Sequence, residues 1–140
     1  MTTRSSTPPP QSRLGQQLAA DIPSLEVQDL PEILDAHSRD HTEDLQFLPD
    51  LVAFPSSTSE VSALLAWANE RRIPVTAAGA WTGLSGGALA VNGGISLSTK
   101  RLNRIVKIDE LNHQLVVQPG VIVQEMQEAV QAKGLFYAVD

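Results

Sequence analysis

Between Val75 and Leu89 the chain reads VTAAGAWTGLSGGAL, a short strand-like opening followed by Gly79, Gly83, Gly86 and Gly87. Glycine at that density is incompatible with a helix, because each one costs about 1 kcal/mol relative to alanine. Pro74 stands before the segment and Gly93-Gly94 after it. The segment is therefore read as a loop between two strands, Val75–Ala77 and Ile95–Leu97. Glycine tolerates positive φ and has no Cβ, so such a loop can bring bare backbone N–H groups against an anionic ligand. Thr82 and Ser85 add hydroxyl donors. The residues alone leave a second reading open, in which the glycines serve chain reversal only.

Two common phosphate motifs do not fit. A P-loop needs Lys-Ser/Thr directly after its last glycine, and neither Gly79 nor Gly83 has that pair at the required offset. A Rossmann turn needs G-x-G-x-x-G opening a helix; Gly79-Ala80-Trp81 breaks the first pair, and ALAVNGG after Gly87 has no helical pattern.

Around the loop the sequence divides into three stretches. Residues 1–13 are rich in Ser, Thr and Pro and read as a disordered tail. Residues 14–48 read as a helical and loop extension, with Leu30, Ile33 and Leu34 suiting a short helix and His37–Asp44 a polar loop. Residues 49–140 carry the sharper signals. Leu51–Phe54 before Pro55 suits a strand, and Ser57 with Glu60 forms a capping box. The helix that follows runs to about Arg71 with Val61, Leu64, Leu65 and Ala68 on its apolar face, placing Trp67 on the polar flank. Ile105–Ile108 and Leu115–Val117 flank a turn and predict a hairpin; Pro119-Gly120 breaks the chain. Ile122, Met126, Ala129 and Val130 predict a last helix closed by Gly134. Strands joined both through a helix and by short turns give an α+β class, a small mixed sheet with flanking helices. The chain stops at Asp140 just after a new extended segment begins, so the domain is expected to be incomplete at its C-terminus.

A formal net charge of −6 and 4% aromatic content argue against nucleic acid as a partner. The absence of cysteine excludes disulfides, thiolate metal sites and thiol nucleophiles within this chain. No apolar run reaches the ~18 residues of a membrane span, and the N-terminus lacks a signal core, so a cytoplasmic location is expected. His37 and His41 are four residues apart without further ligands, and they read, like His113, as solvated loop histidines rather than a metal site. Asp40, Glu43 and Asp44 read as a solvated polar loop, and Lys100, Arg101, Arg104 and Lys107 as a solvated strand edge.

Taken in order, PDLVAFPSSTSEVSALLAWANERRIPVTAAGAWTGLSGGALAVNGGISLSTKRLNRIVKID, VVQPGV and GLFYAVD resemble the FAD-binding domain of the vanillyl-alcohol oxidase / p-cresol methylhydroxylase (PCMH-type) family. More narrowly they resemble the branch holding the glycolate oxidase FAD subunit and D-lactate dehydrogenases. The resemblance covers roughly Asp40 to Asp140 and implies a flavoprotein oxidoreductase acting on a small 2-hydroxy acid such as glycolate or D-lactate. It places Gly79, Ala80, Trp81, Thr82, Gly83 and Leu84 around the FAD diphosphate, Gly86 and Gly87 beyond, and Pro55, Pro119 and Gly120 along the same cleft. Thr82 stands where some relatives carry a flavin-linking histidine, so the FAD is expected to be noncovalent. Two positions depart from the pattern: Ala78 replaces an arginine, and Trp81 replaces a glycine and would be strained if the site demands positive φ. The resemblance further implies a longer enzyme in which a substrate domain carries the catalytic groups, so no catalytic residue is assigned and the 140-residue chain is expected to be inactive by itself. Other oxidase subunits are the expected partners. The rival expectation is a flavin-free truncated remnant or partner-binding module; a cell-wall precursor reductase on the same fold is a lesser alternative.

Overall fold

The computed structural model describes residues 8–138. Its elements are α1 (Arg13–Asp21), β1 (Glu26–Gln28), α2 (Pro31–Ala36), β2 (Leu51–Phe54), α3 (Thr58–Arg71), β3 (Val75–Ala78), β4 (Ile95–Ser98), a 3₁₀ turn (Thr99–Arg101), β5 (Ile105–Asp109), β6 (Gln114–Val117) and α4 (Val123–Gln131). Four strands form one sheet in the order β1-β2-β4-β3. β4 pairs in parallel with both β2 and β3, and β1 runs antiparallel along the edge of β2. The class is mixed α and β, as the two kinds of strand connection require.

The central strands are buried at every residue, LVAF in β2 and ISLS in β4. That is the pattern of strands covered on both faces. Leu18 of α1, Leu25, Val27 of β1, and Leu64, Trp67 and Ala68 of α3 complete the core with Leu51, Ala53, Ile95 and Leu97. Residues 14–48 thus share one core with the segments that follow them.

The Ser57 hydroxyl caps α3 by accepting from the Glu60 amide at 3.2 Å. The Glu60 carboxylate reaches back one residue further than the box requires, to the Ser56 amide at 2.7 Å. The helix stops where Arg72 turns left-handed (φ 54) ahead of Pro74. Its buried face is rotated from the expected one. Leu65 is 47% exposed, whereas Trp67 is only 6% exposed and sits in the core. Trp67 is tolerated there because its indole N–H donates to Asp21 Oδ2 at 2.7 Å, while the Arg71 guanidinium covers the ring at 4.3 Å and ion-pairs with the same carboxylate at 3.1 Å.

β5 and β6 form a separate two-stranded antiparallel sheet with a register shift between Ile105 and Lys107. α4 ends as expected: Gly134 adopts φ +72, and the Leu135 amide closes on the Val130 carbonyl at 3.0 Å. Two elements were not legible. α1 is capped by Ser12, whose hydroxyl accepts from the Gly15 amide at 3.1 Å, and β1 is only three residues long. The start of α1 is tied down by buried Asp29, which accepts from the Gln11 and Ser12 amides at 2.8 and 2.6 Å. The expected disordered tail falls on residues 1–7, which lie outside the described residues, and on residues that lead into this anchor.

Candidate functional site: the glycine loop and its strap

Because β2, β3 and β4 are mutually parallel, their carboxyl ends lie on one edge of the sheet. Open parallel sheets place ligands outside that edge. Phe54-Pro55, Ala78-Gly79 and Ser98-Thr99 all leave the sheet there. Thr99 joins two of the predicted segments: its hydroxyl lies 3.3 Å from the Ala78 carbonyl and 3.5 Å from the Pro119 carbonyl. The Pro119-Gly120 turn therefore sits beside the start of the glycine loop. Gly120 is required at that point, because a Cβ would overlap the Thr99 carbonyl and come within 2.9 Å of the Leu102 carbonyl oxygen. Pro55 differs. It is fully buried at the end of β2, so it offers no surface to a ligand.

The loop itself is exposed at Gly79, Ala80, Thr82, Gly83, Leu84, Ser85 and Gly87. Trp81 (φ 56) and Gly86 (φ +71) take the left-handed conformation. Left-handed backbone costs a non-glycine residue roughly 1–2 kcal/mol, so the strain expected from the departure at Trp81 is present. Its indole does not fill the loop. The ring packs edge-on against the His37 imidazole, with centroids 4.6 Å apart and planes at 88°. His37 in turn stands edge-on to Phe54 at 5.5 Å. A column of three rings thus ties the loop to the end of β2.

His37 is accordingly not a solvated histidine. It is half-buried, and its Nδ1 lies 2.7 Å from the Ile33 carbonyl, which can only accept, so Nδ1 carries the proton. His41 and His113 are exposed, as expected. Asp40 also departs from a freely solvated residue: its Oδ1 accepts from the Thr42 amide at 2.9 Å, and its Oδ2 is buried without a protein partner. Burial pushes the Asp40 carboxyl upward, but hydrogen bonding from Thr42 and from its own backbone amide outweighs it and holds the group below the usual carboxylate range.

Residues 37–42 form a strap under the loop. The His41 amide donates to the Gly83 carbonyl at 2.9 Å, and the Gly86 amide donates to the Thr42 hydroxyl at 2.7 Å. Gly86 is thus engaged inside the protein. Among the described residues, the amides of residues 80–85 meet no protein acceptor. Several donors on one turn of exposed backbone suit a multiply charged anion such as a diphosphate. The expected basic edge is partly neutralised, since Arg101 pairs with Glu26 at 2.5 Å and Lys107 with Asp109 at 2.7 Å. Nothing in the residue pattern announced the strap: Asp40, His41 and Thr42 belong to a polar stretch without periodicity, and the loop partners of His41 and Thr42 lie more than forty residues away.

A hollow of about 290 Å³ lies elsewhere, between the β5–β6 hairpin and the end of α4, lined by His113, Leu115, Val130, Leu135 and Tyr137 among others. None of the expected cofactor residues borders it. Among the described residues, no helix is long and apolar enough to cross a membrane, and no group of three or more acidic or histidine side chains is placed to hold a metal ion.

The FAD binding domain family matches residues 49–140, from two residues before β2 through the glycine loop to the end of the chain. The chain belongs to this family. Curated relatives are an oxidase subunit and dehydrogenases by name. The glycolate oxidase subunit GlcD of Bacillus subtilis is 43% identical over 104 residues, covering 74% of this chain and 22% of the relative. The D-2-hydroxyglutarate dehydrogenase of Stutzerimonas stutzeri is 36% identical over 107 residues, covering 76% of this chain and 23% of the relative. The chain thus spans less than a quarter of the length of these two relatives. The crystal structure of p-cresol methylhydroxylase with substrate bound superposes with a TM-score of 0.72 at 25% identity, over 86% of this chain and 24% of that one. The resemblance read from the sequence, and the PCMH-type partial domain it implies, are those of the molecule.

Proposed function

We propose that this chain holds the diphosphate of FAD on the backbone of the glycine loop, as the cofactor-binding segment of an oxidoreductase acting on a 2-hydroxy acid such as glycolate or D-lactate. The observation that carries the reading is the run of amides at 80–85 without protein acceptors, on a loop fixed from below by the strap. Gly79, Ala80, Trp81, Thr82, Gly83 and Leu84 form the diphosphate cradle, with Thr82 and Ser85 adding hydroxyls; Gly86 and Gly87 shape the turn. Pro119 and Gly120 bound the cradle on the side of Thr99.

When bound, the flavin supplies a two-electron acceptor for hydride leaving the hydroxyl-bearing carbon. The residues of this chain bind and orient. The cradle offers neutral donors and needs no lysine, so diphosphate charge is met by hydrogen bonds rather than by an ion pair. Thr82 has no imidazole to form a flavin bond, so the cofactor is held noncovalently. The catalytic groups lie outside this segment. The names of the relatives support the 2-hydroxy-acid substrate class, and the word subunit in one of them supports work beside further oxidase subunits.

The test is reconstitution. The purified chain is mixed with FAD, desalted, and read by visible flavin absorbance and by quenching of flavin fluorescence. Retained flavin that is released on denaturation supports noncovalent binding. A colourless protein that leaves flavin fluorescence unquenched overturns the reading in favour of a flavin-free module.

A further inference from the structure

We propose that the strap His37–Thr42 is a positioning element for the cofactor, with Thr42 its principal side chain: it fixes which peptide groups of the glycine loop face a ligand. This rests on the reading that the loop holds the FAD diphosphate.

The argument starts from peptide planarity. In a trans peptide the C=O and the N–H of the next residue point in opposite directions. The Gly83 carbonyl faces the strap, where it accepts from the His41 amide at 2.9 Å. The amide of Leu84, in the same peptide plane, is thereby turned away from the strap and outward. The Gly86 amide does the reverse: it faces the strap and donates to Thr42 Oγ1 at 2.7 Å. The Ser85 carbonyl, which shares that plane, is turned outward. Two pins thus orient two peptides in opposite senses. An anion is favoured at Leu84 and opposed by carbonyl charge at Ser85–Gly86, which limits the cradle on one side.

A third pin sets the beginning of the turn. The Trp81 ring rests on His37, whose imidazole is locked by its bond to the Ile33 carbonyl at 2.7 Å. Trp81 is held at φ 56, a conformation it would not keep without an anchor. The strap is stiffened in turn by Asp40, whose Oδ1 accepts from the Thr42 amide at 2.9 Å. That bond closes a tight turn over residues 40–42 and sets the Thr42 hydroxyl under Gly86. The strap touches no ligand; it acts by removing alternative orientations of the peptides above it.

Thr42→Val keeps the shape of the side chain and removes the acceptor. The Gly86 peptide is then free to rotate, and the loss of one such bond weakens FAD binding by about 2- to 12-fold. Thr42→Ser restores the oxygen. The 140-residue chain and its two variants are titrated with FAD by fluorescence quenching, with amide hydrogen exchange at Gly86 and thermal unfolding recorded in parallel. Weaker binding and faster Gly86 exchange in Thr42→Val, both reversed in Thr42→Ser, support the proposal; a general loss of structure would instead lower the unfolding temperature of both variants. FAD affinity in Thr42→Val within 1.5-fold of the parent, or a loss that serine does not rescue, overturns the strap and leaves the diphosphate reading standing. A parent chain that binds no FAD overturns the diphosphate reading, and the cofactor role of the strap falls with it.

Discussion

Replacing Trp81 with glycine, the residue the family resemblance implies at this position, relieves a left-handed tryptophan, yet the structure predicts a less stable protein. Five terms oppose one another. A mostly buried tryptophan removes on the order of 150 Å² from water, worth about 3–4 kcal/mol as an upper estimate. Its edge-on contact with His37 adds roughly 0.5–1.5 kcal/mol. Against these stand relief of left-handed strain, about 1–2 kcal/mol, and removal of an indole N–H that is buried without a partner, about 1–3 kcal/mol. Glycine also raises chain entropy in the unfolded state by about 0.5–1 kcal/mol. The balance is a net loss of about 1–2 kcal/mol, or roughly 3–8 °C in Tm for a domain of this size. Urea unfolding of Trp81→Gly, His37→Ala and the double variant measures it, and the two side chains are expected to couple by about 0.5–1.5 kcal/mol. A Trp81→Gly protein as stable as its parent, or a coupling near zero, refutes the claim that the ring column anchors the loop.

Other substitutions probe the scaffold. Trp67→Ala is expected to cost about 3–5 kcal/mol and to strip Asp21 of its indole donor; a loss under 1 kcal/mol in urea would contradict a core position. Gly94→Ala puts a Cβ against the Pro74 carbonyl at φ +76, and a penalty of about 2–5 kcal/mol follows from left-handed strain plus overpacking, read by thermal unfolding. Asp29 is pushed up by burial, but hydrogen bonds from Ser12 and Gln11 more than offset this and leave its carboxyl below the ordinary range. Its contribution is therefore complete above the unfolded value near pH 4 and is lost as pH falls through the lower, folded value. Asp29→Asn is expected to lower stability by about 1–3 kcal/mol at pH 7, with the gap to the parent shrinking as pH falls from the unfolded value through the lowered folded one; a gap of constant size across that acid range would show that the charge is immaterial.

The loop and its flanking strands were legible because glycine, proline and β-branched residues act locally. The Leu51–Phe54, Ile95–Leu97 and hairpin strands needed only short apolar runs between turn signals. What sequence reasoning missed is long-range. α1 offers only the short stripe Leu14, Leu18 and Ile22 and has Gly15 in its first turn, too little to mark a helix without its packing partners. β1 is too short for periodicity and exists because β2 offers an edge. Trp67 reads as marginal until Asp21 and Arg71 are seen to satisfy its N–H and cover its face. The strap residues have no signature, since their role depends on partners brought close only by the fold.

One consequence of the strand order concerns how the chain reaches this structure. β4 lies between β2 and β3, yet it is the last of the three to be synthesised. β2 and β3 have no common ladder until the loop has doubled back and inserted β4 between them. Sheet closure therefore waits on the slowest kind of event, non-local parallel pairing across a flexible connection. Changes in the glycine loop should register in the refolding rate, and in the lifetime of sticky half-assembled species, before any cofactor is present.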